Sequence, residues 1–121
     1  METDRSTAVR SIAIVGLAAN SSVYNPNIHG NGWQVGDYYS GGGSGHVVAA
    51  NVVTPLAGIS ARARQAGITV VGTSASDDVE AALAAVGGAD LTIVVGATTC
   101  GESEDRYDAC GINRPFQSMH D

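Results

Sequence analysis

The stretch Thr54–Val71, TPLAGISARARQAGITVV, reads as a helix that runs straight into a strand. Threonine in front of proline is a helix start: its hydroxyl takes a free backbone amide, and proline at the first helical position gives up no hydrogen bond. Leu56, Ile59, Ala63 and Ala66 follow at spacings of 3, 4 and 3 and form one apolar stripe, with Arg62 and Arg64 off it. Gly67 suits the left-handed residue that ends a helix. Ile68–Val71 is then a β-branched run without polar alternation, as in a strand buried on both faces. The same unit recurs downstream. Asp77 to Val86 predicts a second helix, with Asp77 and Glu80 at capping-box spacing, a stripe of Val79, Leu83 and Val86, and a stop at Gly87-Gly88. Leu91–Val95 is the strand it feeds, closed by Gly96. Upstream, Ser11–Gly16, SIAIVG, is the first strand. Strand, loop, helix, strand, helix, strand predicts an α/β fold: a three-layer α/β/α arrangement on a mainly parallel sheet, with helices on both faces.

Composition narrows the function classes. With 121 residues there is room for one domain, and 44% hydrophobic against 15% charged residues is a folding composition. The charges are 12 acids against 6 bases, all arginine, for a net −6. A chain without lysine has no P-loop. The acidic balance argues against nucleic acid and against docking on anionic membranes. No apolar run approaches the roughly 18 residues of a membrane-spanning helix. The N-terminus shows no signal peptide, which leaves the compartment open. Cys100 and Cys110 do not make a disulfide framework. Residues 1–10 read as a disordered polar lead-in, and residues 109–121 as a tail without periodicity.

Ligands of parallel sheets gather at the carboxyl ends of the strands. That directs attention to the segments after Val15, around Gly41–Gly45 and after Val95. Residues 20–46, rich in Asn, Gly, Ser and Tyr, read as a long irregular loop of the kind that is usually functional. Val47–Val53 reads as a weak strand or extended segment. Gly16 opens no dinucleotide turn, since GLAAN lacks the later glycines of GxGxxG. The loop GGGSG, Gly41–Gly45, is either an anion cradle of backbone amides or a flexible turn. Glu102, Glu104, Asp105 and Asp108 place four acids within seven residues. Their mutual repulsion can raise one carboxyl into the range of a general acid; the alternatives are a solvated acidic loop or a divalent-ion site, the latter without EF-hand spacing. His29, His46 and His120 are scattered, without zinc spacing, and read as ordinary loop residues. No cofactor or metal is implied.

Taken together, five short motifs in order resemble a known family. IAIVG at 12–16, GGGSG at 41–45 followed by Val47, TPLAGI at 54–59, ADLTIVVG at 89–96 and ESEDR at 102–106 resemble segments of glycoside hydrolase family 3, the β-glucosidases and their relatives. The matched stretch is the start of that family's second, α/β-sandwich domain. The resemblance implies a retaining, exo-acting glycosidase with a β-glycoside substrate. Its nucleophile is an aspartate in a Ser-Asp-Trp context on a preceding barrel domain. Its acid/base glutamate comes from the loop after this strand: Glu102 by motif, with Glu104 competing. Asp105 and Arg106 then fix that loop, while Gly43 and Ser44 bind substrate or position their own loop. The sequence also departs from the family. It has no Ser-Asp-Trp, no room for a barrel of about 250 residues, and Ala109-Cys-Gly111 where a leucine-rich segment is expected. The expectation is a partial domain over 11–108 that supplies the acid/base loop, needs the missing barrel as its partner, and is inactive alone. Full-length relatives are often secreted. Two other readings stay open: a non-catalytic α/β binding or interaction module, and a nucleotide-binding half-domain.

Overall fold

A computed structural model of the chain describes residues 8–30, 32 and 35–97. They fall into two compact units: one formed by the segments up to Ser21 and Val53–Gly96, the other containing Ser22–Val52.

The first unit carries the sheet. Strand β1, Ser11–Val15, lies in the middle, with β2, Thr69–Ser74, and β3, Leu91–Val94, on either side. Both pairings are parallel, as expected: Ile12 stands opposite Val70 and Leu91, and Ile14 opposite Thr73 and Ile93. A register shift between Ile12 and Ala13 leaves Val71 as the extra residue of β2. Helix α2, Pro55–Gln65, joins β1 to β2, and α3, Val79–Val86, joins β2 to β3. The two helices cover opposite faces. Leu56, Ile59 and Ala63 of α2 pack on the face of Ile12 and Ile14, together with Ala19, Val70 and Ile93. α3 lies over Gly72, the partner of Ala13, on the other face. β1 is buried through Ile12–Val15, which is why it reads as uninterrupted apolar sequence.

The edge strands and α3 correct the expectation of full coverage. β2 alternates between half-buried and exposed, and β3 shows Leu91, Thr92 and Val94 to solvent. The stripe assigned to α3 is mostly on the outside, with Val79 68% and Leu83 66% exposed. Its contact face is Ala82, Ala85 and Val86 instead. The reason is steric: a Cβ on Gly72 would collide with the backbone carbonyl of Ala85, so the helix backbone sits directly on the strand. At that separation alanines fill the close contact, with Val86 at the end of the helix, and Val79 and Leu83 face solvent. Ala66, placed on the α2 stripe by spacing, is likewise exposed because the helix ends at Gln65.

The helix starts follow their caps. Thr54 Oγ1 accepts from Ala57 N–H at 3.1 Å and donates to Asn20 Oδ1 at 3.2 Å, tying α2 to the 3-10 turn Leu17–Asn20 after β1. On α3 the cap is Asp78, not Asp77: its Oδ1 accepts from Glu80 N–H at 2.9 Å and Ala81 N–H at 3.1 Å. Ser76 Oγ takes the N–H of Asp78 itself and holds that residue in the capping position. The entry to β1 is clamped by Asp90. Its Oδ2 accepts from Arg10 and Ser11 N–H, both at 2.8 Å, and its own N–H donates to Ser11 Oγ at 3.0 Å. These donors, with Arg10 charge adding to them against a little burial, hold the Asp90 carboxyl below the usual aspartate range.

In the second unit, the long loop contains a one-turn helix α1, Pro26–His29, capped by Asn25. Val47–Val52 joins no sheet. Among the described residues no helix is long and apolar enough to cross a membrane.

Candidate functional site

Two parts of the chain carry candidate site residues. The first is the carboxyl end of the sheet. The order β2-β1-β3 makes the gap between β1 and β3 the point where the chain changes direction across the sheet, and such switch points are where open α/β sheets bind ligands. Gly16 sits there at φ 113°, its N–H on Ser74 O at 2.8 Å. The carbonyl of Val95 occupies the space a Cβ would need, and Val95 N–H donates to Val15 O at 2.8 Å. Gly16 is therefore a packing residue that lets the ends of β1 and β3 meet. β3 delivers the chain through Gly96 to Ala97 at this same end. Glu102, Glu104, Asp105 and Arg106, with Asp108, Cys100, Cys110 and His120, lie outside the described residues.

The second part is the loop of residues 22–52. Asp37 is its anchor. Its Oδ1 accepts from Tyr39 and Ser40 N–H, both at 2.8 Å, and its Oδ2 from Tyr24 N–H at 2.7 Å. Asp37 N–H in turn donates to Ser40 O at 2.9 Å. A short aspartate turn of this kind is local chemistry, since the side chain bonds the amides two and three residues on. His46 is the second anchor. Nδ1 lies 2.9 Å from Gly41 O and Nε2 2.9 Å from Tyr24 O. The Tyr24 ring packs edge-on against His46, centroids 5.9 Å apart, and stacks on His29 at 5.2 Å. His29 Nδ1 accepts from Asn25 N–H at 2.9 Å.

Electrostatics follow from these contacts. Burial pushes the Asp37 carboxyl up. The N–H donors of Tyr24, Tyr39 and Ser40, with nearby His46, outweigh it and hold the carboxyl below its ordinary value. The Tyr24 carbonyl raises His46 against a burial effect of opposite sign, and the Gly41 carbonyl, the Asp37 charge and the Ser40 backbone raise it further.

Of the two glycine-loop residues singled out by sequence, Gly43 is buried at φ 99°, with its carbonyl accepting from His46 N–H at 3.1 Å, and Ser44 is exposed. The loop is thus pinned: Gly41 and Gly43 turn their carbonyls to His46. Sequence reasoning missed both anchors. Asp37 carried a local signal in the spacing Asp37-x-Tyr39-Ser40. His46 carried none, because its partner Tyr24 is 22 residues away.

Among the described residues, no three His, Cys, Asp or Glu side chains come together as metal ligands. Neither a curated relative nor a solved structure matches the chain. The model of the glycosyl hydrolase family 3 C-terminal domain matches residues 6–115, from the lead-in of β1 past the acidic segment after β3. The parallel α/β sheet and a match across most of the chain agree: the chain belongs to glycosyl hydrolase family 3, as its C-terminal domain.

Proposed function

We propose that this chain is the acid/base half of a retaining, exo-acting β-glucosidase-type active site. The observation that carries this reading is topological. β3 ends at the switch point of a β2-β1-β3 parallel sheet, and the sequence directly beyond it holds Glu102, Glu104, Asp105 and Arg106. In this reading Glu102 protonates the glycosidic oxygen as the leaving group departs, then takes a proton from the water that cleaves the glycosyl-enzyme. The nucleophile is an aspartate of the barrel domain, about 5–5.5 Å from the Glu102 carboxyl, as retention requires. Glu104 is the competing acid/base, Asp105 and Arg106 hold the loop, and Gly43 and Ser44 belong to a second loop that Asp37 and His46 keep in shape. The exposed Val79, Leu83, Leu91 and Val94 support a sheet unit that associates with further structure.

The test compares substrates in a full-length enzyme carrying this segment. Glu102→Ala slows glycosides with poor leaving groups about 10²–10⁴-fold more than nitrophenyl glycosides, because only the former need the proton. Azide restores part of the second step. Leaving-group dependence and azide rescue appearing in Glu104→Ala, and not in Glu102→Ala, reverses the two roles; their absence from both places the acid/base elsewhere. The 121-residue chain alone does not hydrolyse aryl β-glucosides, because an acid without a nucleophile forms no covalent intermediate. Turnover by the pure chain that Glu102→Gln abolishes refutes that division of labour.

A further inference from the structure

His46 is 6% exposed, and among the described residues the atoms that its ring nitrogens face only accept hydrogen bonds: the carbonyl oxygens of Gly41 and Tyr24, each at 2.9 Å. A neutral imidazole has one N–H. In either neutral tautomer one nitrogen would aim a lone pair at a carbonyl oxygen. Only the imidazolium donates in both directions. Its counter-charge is Asp37, the single acidic side chain between residues 22 and 52, which three backbone N–H groups fix as a carboxylate. Tyr24 bridges the two, its N–H on Asp37 and its carbonyl on His46. The loop carbonyls of Gly41 and Gly43 both terminate on His46, one on the ring and one on the backbone N–H.

We propose that Tyr24, Asp37 and His46 form a proton-operated clasp, in which imidazolium His46 and carboxylate Asp37 hold the Gly41–Gly45 loop closed and loss of the His46 proton releases it. The inference stands on this unit's own geometry and does not need the glycosidase reading. The described titratable groups around His46 are Asp37, the Tyr24 phenol and, behind the Tyr24 ring, His29. His46 is held above its ordinary value, so its contribution to closure is complete below that value. It is lost as pH rises through the folded one. Asp37 is held below its ordinary value, so its contribution is complete above that value and is lost as pH falls through the folded one. Closure therefore occupies a pH window bounded by Asp37 on the acid side and His46 on the alkaline side.

The experiment uses the whole chain, isotopically labelled. Ring nitrogen NMR of His46 is recorded alongside amide exchange, corrected for its intrinsic pH dependence, at Tyr39, Ser40, His46 and Val47. At pH values below the His46 transition both ring nitrogens read as protonated. Between the ordinary and the folded titration points of His46, local opening rises with pH, by at most about tenfold per unit for one proton, and then levels off. His46→Gln has both N–H donors on a single nitrogen and no titratable charge, so it does not replace the two divergent ring donors and shows fast exchange without that alkaline rise. A neutral His46 ring where the loop amides are protected overturns the proposal. So does protection that does not change through the His46 transition, or an alkaline rise that persists in His46→Gln. If His46→Gln does not fold, the wild-type titration alone decides, because it compares the ring and the loop in one molecule.

Discussion

Replacing Gly72 by alanine sets two effects of opposite sign against each other. By backbone propensity alone, alanine in place of glycine inside a strand stabilises by about 0.5–1 kcal/mol. The structure reverses the sign. The new Cβ would overlap the carbonyl of Ala85, with the carbonyl carbon and Cα of the same residue also inside van der Waals contact. All three are backbone atoms of α3, so no rotamer change relieves them; the helix must lift off the sheet. Overpacking of this kind costs about 1–3 kcal/mol, and it outweighs the propensity gain. For a chain of this length each kcal/mol moves the midpoint by about 4 °C. Thermal unfolding followed by far-UV circular dichroism gives the shift. Gly96→Ala is the control, since nothing lies within 4 Å of its Cβ position and its change should stay within about 0.5 kcal/mol. Amide exchange adds a spatial reading: Ala82–Val86 should lose protection in Gly72→Ala while α2 keeps its own. A Gly72→Ala chain as stable as wild type, or more stable, refutes the claim that α3 docks by backbone contact.

Two further outcomes follow from the fold. Asp78→Ala removes the cap that satisfies Glu80 and Ala81 N–H and should lower stability by about 1 kcal/mol in urea unfolding, whereas Asp77→Ala should change little; the reverse order returns the cap to Asp77. Asp90 is held below its ordinary value by the Arg10 and Ser11 donors, so its contribution is present above that value and disappears as pH falls through the folded one. Asp90→Asn should therefore flatten the acid limb of the stability–pH curve, and an unchanged acid limb removes the clamp from the account.

The signals legible in the chain were the local ones. Thr54-Pro55 starts a helix because a hydroxyl and a missing N–H act within one turn, and the structure places α2 there. The β-branched runs at 11–15 and 91–94 are strands because their neighbours in sequence offer no polar face. The family was legible too, since motif order and spacing are properties of the sequence, and the match over residues 6–115 agrees. The acidic cluster at 102–108 stood out by its spacing, the choice of Glu102 within it came through that resemblance, and the described residues stop short of both.

What tertiary structure decided is whatever depends on atoms distant along the chain. One correction is local: spacing to Glu80 points to Asp77 as the cap of α3, whereas Asp78 takes that place with its own N–H on Ser76 Oγ. The helical period places Val79 and Leu83 on the inner face of α3; Gly72, brought beneath the helix by the sheet, turns that face to Ala82, Ala85 and Val86. The order β2-β1-β3 comes from two crossovers folding over opposite faces, and no single strand encodes it. His46 looks like any loop histidine in sequence. Its charge is set by carbonyls five and 22 residues away, which meet its two nitrogens only once the chain has closed around them.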